Sequence, residues 1–202
     1  MNRVLIVSRT RMRNGVCVGG INLDNNDFVR LHTEHGANLP DDAPYQIGEI
    51  WSIQLNAPWN PRERPHVEDK MVMSSYRIES IPMYRLNSYI RSLPMPISRG
   101  SLEDVFEGKL SFTRGGKGFI SNNRIPSNSV SFWISDAEMK PVISYGKMVF
   151  KYKDKQIPYV GLQNVETIPA GTLIRLSLAN WWTPEDDNVE RRCYLQLSGW
   201  YV

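Results

Sequence analysis

The stretch that most constrains the fold is IRLSLANWWTPEDDNVERRCYLQLSGWYV, Ile174 to Val202, because it holds two runs of alternating side chains joined by a polar connection. Ile174, Leu176 and Leu178 alternate with Arg175, Ser177 and Ala179; after the connection, Cys193, Leu195 and Leu197 alternate with Tyr194, Gln196 and Ser198. Successive residues of a strand point to opposite faces, so this pattern puts one set in a core and the other in water. The connection Thr183 to Asn188 is polar, and Pro184 stops the first strand. Trp181 and Trp182 are neighbours, so if the strand runs that far, one of them leaves the core side.

The same reading extends along the chain. Arg3 to Ser8 is an apolar run suited to a buried strand, and Asn14-Gly15 is a hairpin-turn signal before Val16-Cys17-Val18. Arg9, Arg11 and Arg13 stand on alternate positions and are expected to share one strand face, as a row of phosphate contacts or as a solvated edge that resists aggregation. Phe28 to His32 and Ile47 to Leu55 read as strands, with Glu49 placed at the rim of its face. Met71 to Met73 and Tyr76 to Ile81 read as two strands finishing a first barrel near Pro82. Thirteen prolines and fourteen glycines in 202 residues agree with many short elements.

Helical spacing appears only in the middle. Leu86, Tyr89, Ile90 and Leu93 predict a short amphipathic helix, ended by Pro94 and Pro96. Ser98 or Ser101 is expected to cap a second short helix through Phe106, ended by Gly108. From Gly108 to Ser135 there is no acidic residue, while Lys109, Arg114, Lys117 and Arg124 lie among Phe112, Phe119, Phe132 and Trp133. In the loop Thr113 to Phe119, glycines would let backbone approach a ligand beside Arg114 and Lys117, although GxxxxGK[ST] is absent. Lys147, Lys151, Lys153 and Lys155 form a second basic run, with Asp154-Lys155 at a hairpin tip.

The net charge of +3 is compatible with a nucleic-acid surface without requiring one. No apolar run approaches the ~20 residues of a membrane span, and Val4 to Val7 is too short for a signal-peptide core, so a cytoplasmic protein is expected. Cys17 and Cys193 are then expected as reduced thiols. His32 and His35 lack a matching zinc-spaced cluster, so no metal or cofactor is expected. His66, Glu68 and Asp69 invite a hydrolase or metal-dependent nuclease, but within four positions they cannot all point one way on a strand.

Taken together, RVLIVSRTRMRNGVCVGGIN, DFVRLH, IGEIWSIQL with PHVED downstream, TLIRLSLANWW and RCYLQLSGWY resemble bacterial proteins with a dual OB-containing domain. The resemblance covers essentially the whole chain and carries no catalytic signature. It implies a mainly all-β chain: two OB-like β-barrels packed together with a short helical insert. The borders would be 1–82 for the first barrel, 83–107 for the insert and 108–202 for the second. It also implies nucleic-acid binding and a place among prokaryotic defence and conflict systems. Single-strand binding needs a basic groove and aromatic platforms. The residues expected to supply them are Arg9, Arg11, Arg13, Arg114, Lys117, Arg124, Trp181 and Trp182, with no catalytic residue. A protein-interaction or small-ligand sensor module is the alternative, with a protein partner in place of the strand.

Overall fold

The computed structural model describes residues 1–185 and 190–202, so the expected connection Thr183 to Asn188 lies partly outside the described residues. The chain divides into two units: Met1–Glu63, Val67–Met95 and Tyr201–Val202 in the first; Arg64–His66 and Pro96–Trp200 in the second.

In the first unit, β1 (Asn2–Arg11), β2 (Val16–Asn22), β3 (Phe28–His32), β4 (Glu49–Asn56) and β5 (Asp69–Ser80) close a barrel in the order β1-β2-β3-β5-β4. All its pairings are antiparallel except β3 with β5, which run parallel. Val4, Ile6, Val18, Val29, Leu31, Trp51 and Ile53 fill it. Register shifts between Ile6 and Ser8 in β1, and at two places in β4, bend the strands around the closure. The Asn14-Gly15 signal marks a real turn: Gly15 has φ +85°, and a Cβ there would lie 2.1 Å from the Leu39 carbonyl oxygen, so only glycine fits.

Three expectations change here. The two strands foreseen between Met71 and Ile81 are one continuous β5. Arg13 lies beyond the end of β1, so Arg9, Arg11 and Arg13 do not form one strand row. Glu49 is buried, not at the rim, because Gln46, Trp51 and Arg77 all donate to it. The helix α1 (Met83–Ser92) forms where spacing placed it and buries Leu86 and Ile90.

In the second unit, β6 (Ile97–Gly100), β7 (Ser111–Phe112), β8 (Gly118–Ser121), β9 (Val130–Ser135), β13 (Leu173–Leu178) and β14 (Arg192–Tyr201) build a half-barrel sheet in the order β6-β9-β13-β14-β8-β7. The strands β10 (Lys140–Ser144), β11 (Lys147–Tyr152) and β12 (Lys155–Pro158) form a meander. Bridges from Lys117 to Gln156 and from Tyr159 to Leu197 join the two sheets around Trp133, Phe150, Tyr152, Ile174, Leu195 and Trp200.

The second helix foreseen through Phe106 is broken into a 3-10 turn and a short turn, Val105–Gly108. Ser101 caps a single 3-10 turn, Leu102–Asp104, and the backbone then turns left-handed at Phe106 (φ 54°) and Glu107 (φ 63°). The strand foreseen to run up to Pro184 ends at Leu178. Arg175, assigned to water by alternation, is buried: its Nη1 donates to Ser198 Oγ at 2.8 Å, and that hydroxyl donates to the Arg175 carbonyl at 3.0 Å. Buried polar groups persist when paired in this way.

Candidate nucleic-acid interface

Strand register assembles a cationic row in the second unit. Lys140 stands opposite Lys151, Lys151 opposite Gln156, and Gln156 opposite Lys117 through the bridge. Residues directly opposite on paired strands share a face. Their inward neighbours Met139, Phe150, Tyr152 and Ile157 lie in the core, so the row points outward. Lys140, Lys151 and Lys117 are exposed. At the ~4.8 Å spacing of paired strands, the row spans about 14 Å. Lys147 joins the same face, four residues along β11 from Lys151.

Lys140 has Glu138 at 3.2 Å, an exposed pair. Lys117, Lys147 and Lys151 have no carboxylate partner among the described residues. Like charges facing each other on a sheet are unfavourable, and of the facing Lys140 and Lys151 only Lys140 has a carboxylate beside it among the described residues.

The face continues into aromatics. Phe119, itself buried, lies two residues beyond Lys117 and opposite Tyr194, and Arg192 stands opposite both Ser121 and Trp182. Ring centroids are 6.2 Å apart for Phe119 and Tyr194 and 6.0 Å for Tyr194 and Trp182, and the Arg192 guanidinium lies 4.1 Å over Phe119. Trp182 is 44% exposed, enough to offer a ring to a base. The glycine turn is stitched in place: Gly116 donates to the Thr113 carbonyl, and Gln156 donates to the Gly116 carbonyl. A Cβ at Gly116 would meet the Asp154 carbonyl oxygen at 2.6 Å, so neighbouring backbone accounts for this glycine without a ligand.

Of the residues singled out from sequence, Arg114, Lys117, Arg124 and Trp182 are exposed in this second unit. Trp181 is half-buried: its Nε1 donates to the Arg64 carbonyl at 2.8 Å and Arg191 covers its ring. Arg124 Nη2 donates to the Gly108 carbonyl at 2.8 Å. In the first unit Arg9 is a clamp, donating to the carbonyls of Asp41, Ala43 and Tyr45, whereas Arg11 and Arg13 are exposed. Sequence reasoning missed Lys140, Tyr194 and Arg192. Lys151 was visible only within a basic run, two of whose members, Lys153 and Lys155, pair with Asp136 and Asp154.

The members of the catalytic grouping each have other side chains beside them. His66 is buried with its Nε2 3.7 Å from Cys193 Sγ. Glu68 pairs with Arg30 at 3.4 Å, and Asp69 contacts Arg30, His32 and Arg62 at 3.3, 3.2 and 2.9 Å. Burial pushes the Asp69 carboxyl up, but the His32 hydrogen bond and the charges of Arg30, His32 and Arg62 outweigh it and hold the group below the usual carboxylate range. Among the described residues no three of His, Cys, Asp and Glu are placed to hold a metal, and no helix is long and apolar enough to cross a membrane.

One family profile, described as the dual OB-containing domain, matches residues 2–200. No curated protein and no solved structure matches the chain.

Proposed function

The chain belongs to the dual OB-containing domain family, and from that premise we propose that it is a non-catalytic module that binds single-stranded nucleic acid. The observation that carries this reading is the outward row Lys140–Lys151–Gln156–Lys117, continued by the rings of Tyr194 and Trp182. Cations that track phosphates beside rings that stack on bases are what sequence-tolerant single-strand binding requires. The lysines supply point charges, Arg114 extends the row from its turn, and Trp182 offers the most open ring. Work within a prokaryotic defence system belongs to the same proposal, and it rests on the family resemblance alone.

A protein-interaction role is the rival reading. It is favoured by exposed apolar side chains on β5 and α1 of the first unit: Tyr76 (58% exposed), Ile78 (47%) and Tyr84 (79%). Salt separates the two. Single-strand affinity falls with a log–log slope of about −0.7 per neutralised phosphate. Fluorescence polarisation of a labelled strand, DNA and RNA in parallel, at several salt concentrations is the test. Lys117→Glu with Lys151→Glu, both exposed, is expected to weaken binding and to flatten the slope by about 1.4. The absence of binding to either strand at about 100 μM protein in low salt, where non-specific binders register, would overturn the proposal.

A further inference from the structure

The first barrel carries a recess that none of the residues above explains. It encloses about 240 Å³ on the outer side of β3 and β5 and is lined by His32, His35, Trp59, Asn60, Arg62 and Asp69, among others. We propose that this recess receives one unpaired nucleobase of a bound strand, stacked on Trp59 with its edge against the polar floor. This deepens the nucleic-acid reading and rests on it.

Four observations carry the proposal. First, Trp59 is 83% exposed, although an indole gains much from burial. Second, it stands in Pro58-Trp59-Asn60-Pro61, where each proline fixes its own φ and Pro61 also restricts Asn60. The backbone on both sides of Trp59 is therefore narrowed, which lowers the cost of ordering this segment around a ligand. Third, the volume lies below the roughly 300–1,000 Å³ of sites for drug-sized ligands, which suits a single ring system.

Fourth, the charges decide which part of a nucleotide fits. Among the lining residues Arg62 meets Asp69 at 2.9 Å, one cation against one carboxylate, so the floor is close to neutral. A phosphate gains little there, whereas a heterocycle meets hydrogen-bonding groups: the buried His32–Asp69 pair at 3.2 Å and the Asn60 amide. The wall that carries Trp59 is the β4–β5 connection, and in OB barrels that loop and the β2–β3 face border the strand.

The test uses the full chain, four nucleosides (adenosine, guanosine, cytidine, uridine) and a single strand of about 20 nucleotides. The nucleosides are read by the Trp59 indole N–H resonance, assigned by its disappearance in Trp59→Ala; the strand is read by fluorescence polarisation. Because Trp59 is exposed, Trp59→Ala is expected to fold, and Trp59→Phe keeps a ring. The expected result is a nucleoside-dependent shift of the Trp59 resonance. Trp59→Ala should weaken the strand about 5- to 150-fold, the effect of one lost stack, with Trp59→Phe restoring most of it and the salt slope unchanged. If strand binding is lost in Lys117→Glu/Lys151→Glu but matches wild type in Trp59→Ala, the recess proposal is overturned and the lysine-row reading survives. If nucleosides shift Trp59 while no strand binds, the recess is a site for free nucleosides, and the strand-binding function falls together with the proposal that a strand supplies the base. If neither nucleosides nor Trp59→Ala has any effect, the recess is not a base site.

Discussion

At the scale of single residues, Glu49 is a buried carboxylate held by two near donors and one distant one. Glu49 accepts from the Gln46 amide at 2.9 Å, Trp51 Nε1 at 2.8 Å and Arg77 Nη1 at 2.9 Å. Burial raises its pKa, but the three donors and the Arg77 charge outweigh that, and the group titrates below its ordinary range. Arg77 is largely exposed and contributes little by itself, so the loss on truncation is dominated by the indole and amide donors left without an acceptor. Glu49→Ala is expected to lower stability by about 2 kcal/mol or more, with the denaturant slope unchanged, in urea unfolding. A loss under about 0.5 kcal/mol would show that water replaces the carboxylate. Sequence alternation put Glu49 on the correct strand but at the rim, because nothing local reports a donor 28 positions away.

At the scale of elements, the β10–β11 hairpin shows what pattern reading reaches. Its break at Tyr145-Gly146 is legible, because glycine there interrupts two apolar runs. The conformation of the turn is less ordinary. Tyr145 has φ +48° and Gly146 φ +72°, positive at both central positions, where Asn-Gly is the favoured pair. A bulky residue in the left-handed region costs about 1–2 kcal/mol, and Tyr145 is 96% exposed, so its ring recovers almost nothing by packing. Tyr145→Asn is therefore expected to raise stability by about 0.5–1 kcal/mol in thermal or urea unfolding. An unchanged or lower midpoint would mean that the tyrosine makes contacts in solution that offset the strain. The lysine row belongs to this scale too: Lys117 was legible as a basic residue beside glycines, but its alignment with Lys151 and Lys140 exists only through the register of three strand pairings.

For the whole molecule, the depressed carboxylates predict acid sensitivity. The Lys109 ammonium and the Ser127 backbone N–H hold Glu107 down to about 2 from an ordinary 4.5; Asp69 and Glu49 are also lowered. A folded-state pKa below the unfolded value means that the unfolded chain binds more protons. The contribution of such a group is complete above the unfolded pKa and is lost as pH falls through the folded one. The urea midpoint is expected to be level near neutrality and to drop below about pH 4.5; a midpoint still level at roughly pH 3 would show these pairs to be energetically silent. The sequence by itself determined the fold class, most strands, α1, the Asn14-Gly15 turn and the identity of several exposed cations, because period-2 alternation, turn residues and charge are local properties. Tertiary structure alone decided that Arg9, Trp181 and Arg124 donate to distant backbone carbonyls, that Asp69 and His32 meet, that Lys140 and Tyr194 join Lys117 and Trp182 on one face, and that Trp59 stands over a recess. Those facts depend on which strands pair, in which register, and on the resulting burial, and a sheet built from partners dozens of residues apart leaves no trace of its register in any single segment.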